Sequence, residues 1–453
     1  MDFGTGAVKV TPAHDPNDYE LSQKHNLEQI TVIGFDGKMT SEAGELKGLY
    51  GKQARAKVVG KLSELGLLEK EENIVHQLPV CYKCKNAIQP LLMEQWFIKT
   101  KPLAASAVEA VKKAEIKIYP QSFEKTYLRF LENVRDWNVS RQIVWGIQIP
   151  AWNCQKCHEW IVTNGEVPQK CQCGSTKLIQ DQDVFDTWFS SGQWPYAALK
   201  TTDALEFYPT TVMETGYDIL PWWVVRMVML GIYIQKKQAV EDLKKQIPFQ
   251  NIVLHGLVND PLGKKMSKSK GNVVNPMEIV DQYGADAIRF ALVYGTALGN
   301  DQILSYPKFE AMRKFSNKLW NMARFIEMNK TAVDKHQLLN MEELADAAKH
   351  KIDKEMVQKT GELVKETTRL LENYDFNHAA QHLYDFIWHE FADVYIEDVK
   401  NRIDKDSYLI LFNLFLILIK LLHPSMPFIT EEIYSRLYNG EGNLMVSQWP
   451  SAI

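Results

Sequence analysis

A lysine-rich segment at positions 263–272 is the strongest chemical signal in the sequence. Four lysines fall within seven residues, and Gly263 and Gly271 bound the run. Glycine gives a loop backbone conformational freedom. Flexible ammonium groups suit the negative charge that develops on phosphates during nucleotidyl transfer. A solvated basic turn has a similar composition. The order Lys-Met-Ser-Lys-Ser, with Gly-Asn close behind, is more specific and favours a phosphate-binding loop.

The six cysteines occur in three closely spaced pairs, which in a cytosolic protein indicate metal sites more than disulfides. Four of them form one set that predicts a knuckle around a tetrahedral, structural zinc ion: Cys154, Cys157, Cys171 and Cys173. The Cys-x-Cys spacing is tight, so His158 is an alternative fourth ligand, and two unrelated pairs of reduced thiols are the simpler alternative. Cys81 and Cys84 make only half a site.

Composition bounds the class of protein. The 453 residues are 45% apolar and 24% charged, as in a folded protein of about three domains. There are 52 basic and 56 acidic residues, and the net charge of −4 excludes a globally basic nucleic-acid-binding protein. The longest apolar run, 408–419, contains Asn413 and predicts a buried helix rather than a membrane span. Met1 is not followed by an apolar signal segment, so we expect a cytoplasmic protein.

The lysine segment and the cysteines are embedded in elements of three kinds. From 136 to 304, strand-like runs at 142–150 and 251–258 alternate with helical runs at 222–234 and 286–294, which predicts a parallel α/β sheet. The knuckle at 151–181 interrupts this region.

The regions on either side of 136–304 have different predicted secondary structure. Residues 1–75 mix short apolar segments with turns, begin in what reads as a strand at 4–12, and include a helical run at 53–68; they predict part of an α+β unit. Residues 76–135 form a connective segment with a helix at 102–113. From 305 to 453, helical spacing predicts an all-helical bundle.

Several segments resemble one enzyme family. Residues 265–269 resemble the second signature of the class I aminoacyl-tRNA synthetases. Segments 136–142 and 186–191 are similar to the valyl, isoleucyl and leucyl subgroup, and 11–19 and 215–223 to its valyl members. The resemblance extends through 317–321 to 423–428. It implies an incomplete class I nucleotide-binding fold, part of an α+β editing domain, the zinc knuckle and a C-terminal helical domain that binds the anticodon region.

The resemblance implies activation of valine by ATP with Mg²⁺ and transfer to tRNA(Val), without DNA or membrane partners. Lys265 and Lys268 would stabilise the α-phosphate transition state and the departing pyrophosphate. The other matching ATP-binding positions are Met266, Ser267, Ser269 and Asn272. The matching positions of the valine side-chain pocket are Trp188, Ile219 and Trp223. Without the resemblance, ordinary core packing would be the favoured interpretation of the tryptophans.

The resemblance also implies an editing site. An apolar slot separates valine from threonine by only about a hundredfold in the valyl enzymes, the accepted figure for this family, so a hydrolytic site is needed. The matching positions are Lys9, Thr11, Asp15 and Asp18. Asp18 would hold the α-amino group of misattached threonine. The same residues are good turn formers, and both interpretations can hold together.

One departure from the family is large. The first signature, His-x-Gly-His, does not occur in the sequence. Also missing are the first half of the nucleotide fold, most of the editing domain, the partner pair for Cys81 and Cys84, and the family's C-terminal coiled coil. We therefore expect a C-terminal piece of a longer enzyme that fails valine-dependent ATP–pyrophosphate exchange by itself. The alternatives are a truncated, non-catalytic tRNA-binding paralogue and an isoleucyl enzyme, against which segments 11–19 and 215–223 argue.

Overall fold

Two units of unequal size make up the chain, Met1–Trp96 and Phe97–Ile453. The structure, a computed structural model, describes residues 6, 8–75, 77–81, 84–330, 338–437 and 442–451, apart from the side chain of Ser269. The predicted domain boundaries at 75, 135 and 304 stay predictions.

The smaller unit contains two α-helices among its described residues, α1 (Pro16–His25) and α2 (Gly51–Glu64), and a 3-10 turn at Ser41–Leu46. Asp15 caps α1 by accepting hydrogen bonds from backbone amides. The helical run predicted at 53–68 is confirmed by α2. The strand predicted at 4–12 is not formed in its described part, and Ile33 forms only an isolated bridge, with Met39.

A three-stranded parallel sheet is the centre of the larger unit. Its order is β2 (Lys117–Tyr119), β10 (Phe249–His255), β9 (Thr210–Gly216). Ile252 of β10 pairs with Ile118 on one side and Met213 on the other. The apolar helices α3 (Lys101–Lys112), α4 (Ser122–Glu132) and α7 (Val225–Lys237) bury the same core as this sheet. The predicted parallel α/β sheet is thus confirmed, and its central strand, β10, corresponds to the strand predicted at 251–258.

Short strands and helices surround this sheet. The paired two-residue strands are β1 (Phe97–Ile98) with β3 (Trp137–Asn138), β4 (Ser140–Arg141) with β8 (Val184–Phe185), and β11 (Val258–Asn259) with β12 (Gln302–Ile303). The knuckle is a separate antiparallel sheet of β5 (Ala151–Cys154), β6 (Trp160–Val162) and β7 (Leu178–Gln180). The short helices are α5 (Thr187–Ser191), α6 (Trp194–Thr201), α8 (Leu243–Gln246), α9 (Pro276–Tyr283) and α10 (Ala285–Val293). Single turns of 3-10 helix lie at Leu205–Phe207, Tyr217–Ile219 and Lys268–Lys270, and a π-helical turn lies at Leu220–Val224.

The prediction of a strand at 142–150 is wrong. This segment forms only an isolated bridge, between Gln148 and Val184, and most of its apolar side chains are exposed, whereas Ile149 is buried. The pairing beside β8 is short. The amide of Ile149 donates to the Asp183 carbonyl and that of Phe185 to the Ile147 carbonyl, and a side chain at Gly146 would collide with Val184.

The last third is helical, as predicted. Its helices are α11 (Tyr306–Met328), α12 (Met341–Ala347), α13 (Lys351–Glu372), α14 (Phe376–Asp385), α15 (Glu397–Lys400), α16 (Lys405–Leu422) and α17 (Pro427–Leu437), with a π-helical stretch at Phe386–Ile396 and a 3-10 turn at Leu444–Val446. The apolar run at 408–419 lies in α16 and is buried, which confirms that prediction. Asp353 lies at the centre of a buried polar contact, where it accepts from Arg402 and from the hydroxyl of Tyr395 at 2.9 Å.

One helical stretch in the described part of the chain, Tyr217–Lys237, has the length and apolar composition of a membrane span. Half of its most apolar window is buried inside the protein, and its α7 portion contacts α3 and α8. These contacts are those of a core helix.

Candidate functional site

The lysine loop is tied together at its base by Asp260, which is 6% exposed. One oxygen of Asp260 accepts from the backbone amides of Leu262 and Lys264, and the other accepts from the Asn272 side chain at 2.8 Å. The hydrogen bond from Asn272, followed by that from Lys264, lowers the pKa of Asp260. The Asn272 oxygen in turn accepts from the amide of Ser267 at 2.9 Å. The two ends of the loop are therefore held in one fixed arrangement.

The cations of the loop are more exposed than its base. The Lys265 ammonium pairs with Asp218 Oδ2 at 3.1 Å, and Lys268 begins the 3-10 turn that ends at Lys270 and is followed by Gly271. Met266 lies between these lysines outside any helix or strand, and the side chain of Ser269 is outside the described residues. Asp218 belongs to the turn that follows β9, so the pair places Lys265 at the carboxyl end of the parallel sheet.

The carboxyl ends of β9 and β10 carry further polar contacts. Asp301 accepts from the amide of Leu257 at 2.7 Å and from the hydroxyl of Tyr217 at 3.2 Å, and the latter bond raises the pKa of Tyr217. Gly256 directly follows β10, and any Cβ at this position would overlap the carbonyl of Asn300. Crevices at the carboxyl ends of parallel strands are where α/β proteins bind nucleotides.

A buried carboxylate organises the neighbouring segments. Asp186 is 4% exposed and accepts from the indole of Trp137 at 2.9 Å. The same oxygen faces Arg141 at 3.0 Å and Arg226 at 3.4 Å, and the Arg226 guanidinium lies 4.0 Å from the centre of the Trp137 ring. Burial lowers the pKa of Arg226. Asp186 also caps α5 through the amide of Trp188. One carboxylate thus joins the segments 137–141, α5 and α7.

The predicted valine-pocket residues Trp188, Ile219 and Trp223 are all half-buried. The Trp223 indole donates to the carbonyl of Ser191 at 3.0 Å, which brings the π-helical turn against α5, the helix that carries Trp188. Ile219 ends the 3-10 turn that precedes the π-helical turn. The elements are adjacent, and the roles of the three side chains stay predictions.

The knuckle brings its four cysteine sulfurs together. The Sγ atoms of Cys154, Cys157, Cys171 and Cys173 lie within 4.8 Å of one another, with Cys154–Cys173 and Cys157–Cys171 both at 3.6 Å. Tetrahedral zinc with Zn–S bonds of about 2.3 Å requires sulfur separations of about 3.8 Å. The amides of Cys157 and Lys156 lower the pKa of Cys154 to about 6, which favours the thiolate. The cluster could hold zinc, and because Cys173 supplies the fourth sulfur, His158 is not needed.

The other cysteine pair lies in the smaller unit. The amide of Lys85 donates to the Cys81 carbonyl at 2.8 Å, closing a turn that includes Cys84. Among the residues that the structure describes, the knuckle is the only group of three or more potential ligands close enough to share a metal ion, and it does not include this pair.

The four predicted editing residues cluster at the start of α1. Asp18 accepts from the Thr11 amide at 2.6 Å and its hydroxyl at 3.1 Å, and the Lys9 ammonium donates to the same hydroxyl at 3.2 Å. The backbone hydrogen bond from Thr11 lowers the pKa of Asp18. Asp15 accepts from the Asp18 amide. The structure brings the four together, and their role in editing stays a prediction.

Sequence reasoning did not single out His14, which anchors this segment. Its Nε2 accepts from the amides of Val32 and Ile33 at 2.9 and 3.2 Å, so the ring proton is on Nδ1, which donates to the Pro90 carbonyl at 3.0 Å. Asp186, Asp260 and Asp301 were also missed as organising residues. The partners of His14, Asp186 and Asp301 are distant in the sequence, so local spacing carries no signal for them.

Two family models match the chain. A model described as tRNA synthetases class I (I, L, M and V) matches residues 32–305, and one described as the anticodon-binding domain of tRNA ligase matches residues 353–453. Among solved structures, the chain is similar to the Agrobacterium radiobacter LeuRS–tRNA–LeuAMS complex, with a TM-score of 0.59, 20% identity, and coverage of 73% of this chain and 46% of that one. A Mycobacterium tuberculosis methionyl-tRNA synthetase gives a TM-score of 0.57 and 16% identity, with coverage of 83% and 71%. These two similarities concern the fold.

Curated relatives are closer in sequence. The chain is 44% identical over 467 residues to a protein of Dehalococcoides mccartyi named valine–tRNA ligase, covering 100% of this chain and 51% of that protein. Proteins of the same name from Clostridium tetani and Thermotoga maritima are each 42% identical, covering 99% of this chain and 51% of the relative. The chain therefore spans about half the length of the curated relatives it matches.

Proposed function

Because the chain belongs to the class I tRNA synthetases of the I, L, M and V group, we propose that it is the part of a valine–tRNA ligase that carries the lysine loop, the valine pocket and the tRNA-binding helices. The observation that carries this proposal is the identity of 42–44% to proteins of that name over 99–100% of the chain. The reaction would be ATP-dependent activation of valine, with Mg²⁺ bound to the nucleotide, followed by transfer to tRNA(Val).

The geometry supports a role for the loop in the activation step. Lys265 is positioned at the carboxyl end of the sheet by Asp218, and the loop base is fixed through Asp260 and Asn272. Preorganised cations of this kind stabilise charge that develops on a transferring phosphoryl group. Lys265 and Lys268 would contact the α-phosphate and the departing pyrophosphate. Zinc in the knuckle would be structural, because four sulfur ligands leave no open position.

The helical third would bind the anticodon region of tRNA(Val), and the cluster around Asp18 would take part in hydrolysis of threonyl-tRNA(Val). Asp18 keeps a carboxylate available for an α-amino group, since its hydrogen bonds to Thr11 favour the ionised form. We expect the isolated chain to fail valine-dependent ATP–pyrophosphate exchange. We propose a cytoplasmic location for this reaction.

A chimera tests the proposal. The matched half of the D. mccartyi relative is replaced by this chain, and ATP–pyrophosphate exchange is measured with valine and with isoleucine. We expect valine-dependent exchange that falls at least about a hundredfold in Lys265→Ala or Lys268→Ala, the scale for losing one transition-state donor. Lys264→Ala, on the same loop but outside the signature, is the matched control. A folded chimera without exchange, or one that prefers isoleucine, would refute the assignment.

Editing is tested in the same chimera. Asp18→Ala should cause threonyl-tRNA(Val) to accumulate while valine activation is unchanged, because Asp18 lies in the smaller unit and the lysine loop in the larger. Asp36→Ala, which removes another turn carboxylate of the smaller unit, is the control. Equal accumulation in both variants would contradict a specific role for Asp18.

A further inference from the structure

The chain reverses direction at the start of the lysine loop. The amide of Gly263 donates to the Asp260 carbonyl at 2.8 Å, and the order Asp-Pro-Leu-Gly suits a β-turn, with proline second and glycine fourth. The amide of Asp260 donates to the Lys264 carbonyl at 2.9 Å, and Asn259 forms an isolated antiparallel bridge with Lys265. Since Asn259 ends β11, which pairs with β12, the backbone of Lys265 is held against a paired strand.

The side chain of Asn272 contacts the loop on both sides of Met266. Its Oδ1 accepts from the amide of Ser267 at 2.9 Å. Its Nδ2 donates to the Lys265 carbonyl at 3.3 Å and to Asp260 Oδ2 at 2.8 Å. A side-chain amide carries two N–H donors, so both donors of Asn272 are used within the protein.

Asp260 determines which way round the Asn272 amide lies. Asp260 is buried and accepts from the amides of Leu262 and Lys264 as well as from Asn272. Hydrogen bonds from Asn272 and then from Lys264 lower the pKa of Asp260, which favours the carboxylate. Because a carboxylate only accepts hydrogen bonds, Asn272 must turn its nitrogen toward Asp260 and its oxygen toward the amide of Ser267.

We infer that Asp260 and Asn272 are positioning residues for the activation step, an inference that rests on the proposed function. Their hydrogen bonds fix the backbone at Lys265 and at Ser267, and thereby the points from which the Lys265 and Lys268 ammonium groups reach the nucleotide phosphates. Asn272, which the resemblance places among the ATP-binding positions, then acts through the loop and not by donating to the nucleotide. A misplacement of about 1 Å can lower a rate about a hundredfold.

A reciprocal exchange of the two residues tests this inference. Asp260→Asn places an amide opposite that of Asn272, and Asn272→Asp places a carboxylate opposite that of Asp260, so each single variant disrupts the contact of 2.8 Å. The double variant reverses donor and acceptor. It can re-form every contact of the pair except the one with the Lys265 carbonyl, which is the longest at 3.3 Å.

The kinetic readout is valine-dependent ATP–pyrophosphate exchange in the chimera described above. Each single variant should lower kcat about ten- to a hundredfold, and the double variant should recover to within about fivefold of the unmodified chimera. The KM for valine should stay within about twofold, because the predicted valine pocket lies on α5 and the turns after β9.

Asp286→Asn is the matched control for burial. Asp286 is 6% exposed, as Asp260 is, and it also accepts from two backbone amides, those of Phe428 and Ile429. It lies outside the lysine loop, so its replacement should leave kcat within about twofold. A comparable loss of kcat in Asp286→Asn would show that any buried carboxylate of this region has the same effect, and would overturn the inference.

Hydrogen exchange in the isolated chain gives a readout that requires no catalysis. Amide exchange at 262–272 should be about tenfold faster in each single variant and should return toward the unmodified rate in the double variant. The inference is overturned if the single variants leave this exchange or kcat unchanged, if the double variant stays as slow in kcat as the single ones, or if the KM for valine rises in parallel. An unmodified chimera without pyrophosphate exchange would instead overturn the proposed function, and the catalytic role of the pair with it.

Discussion

Replacing Asp186 should cause the largest loss of stability among the charged residues around the candidate site. The Asp186→Ala variant leaves Arg226, which is 9% exposed and stacked on Trp137, without its carboxylate. Breaking a buried ion pair by removing one partner costs about 3–5 kcal/mol. The Trp137 indole, 7% exposed, also loses its acceptor, a penalty of about 1–3 kcal/mol. We therefore expect the free energy of unfolding to fall by at least about 3 kcal/mol.

Two further variants make this expectation specific. Asp186→Asn keeps the volume and an oxygen for Trp137 but removes the charge, so we expect an intermediate loss of about 1–3 kcal/mol. Asp393→Asn removes the exposed pair with Lys318, in which Asp393 is 50% exposed, and should cost no more than about 1 kcal/mol.

The assay is urea unfolding followed by tryptophan fluorescence and far-ultraviolet circular dichroism, with hydrogen exchange to locate the change. Asp186→Ala should speed exchange at 137–141 and 187–191, the segments that the carboxylate joins. A loss below about 1 kcal/mol, or equal losses for Asp186→Ala and Asp393→Asn, would refute the reasoning, because the buried Asp186 contacts would then contribute no more than an exposed pair.

Three other predictions are independent of this one. Cys154→Ser, or treatment with a chelator, should abolish stoichiometric zinc in a colorimetric assay and speed hydrogen exchange at 151–181, leaving the helical third unchanged; a protein without zinc but with a protected knuckle would contradict this. Gly256→Ala should reduce the yield of soluble protein and lower the melting temperature by several degrees, since its Cβ has no room beside Asn300; an unchanged melting temperature would refute it. Burial raises the pKa of Asp286, so the native state binds this proton more tightly than the unfolded state does. The free energy of unfolding should therefore fall as the pH rises from the ordinary carboxyl range through the raised pKa. Asp286→Asn should remove this decrease from urea midpoints measured between pH 3.5 and pH 7, and an unaltered pH dependence would disprove the assignment.

Local spacing predicted the parts of the site whose residues are close in sequence. The lysine loop and the four cysteines of the knuckle are such cases, because a loop or a knuckle is assembled from neighbouring residues. The contacts of Asp186 and His14 could not be predicted in this way, since their partners lie tens of residues away in the sequence. Asp186 accepts from Trp137, and His14 donates to the carbonyl of Pro90. Only the folded chain brings such groups together.

The incorrect prediction of a strand at 142–150 has a different cause from these missed contacts. Its apolar, β-branched composition is the same whether the residues face a core or a partner, and composition alone cannot distinguish the two. Gly146 packs closely on Val184, and most apolar side chains of this segment are exposed, whereas Ile149 is buried. The helical third was predicted well because its periodicity repeats over long helices such as α11 and α16, whose buried faces are continuous.

The lysine loop combines a fixed base with an exchangeable charge. Asp260 and Asn272 join its two ends through hydrogen bonds of 2.8–3.0 Å, so the backbone between them is ordered before any ligand arrives. The Lys265–Asp218 pair is exposed, at 64% and 35%, and such pairs contribute only about 0–1 kcal/mol. A triphosphate, with its greater negative charge, would take Lys265 from Asp218 at little cost, and the loop base would not need to reorganise. On the proposed function, Asp218 therefore holds Lys265 near the end of the sheet without competing strongly with the triphosphate. The conformational entropy of the loop is lost during folding rather than during substrate binding.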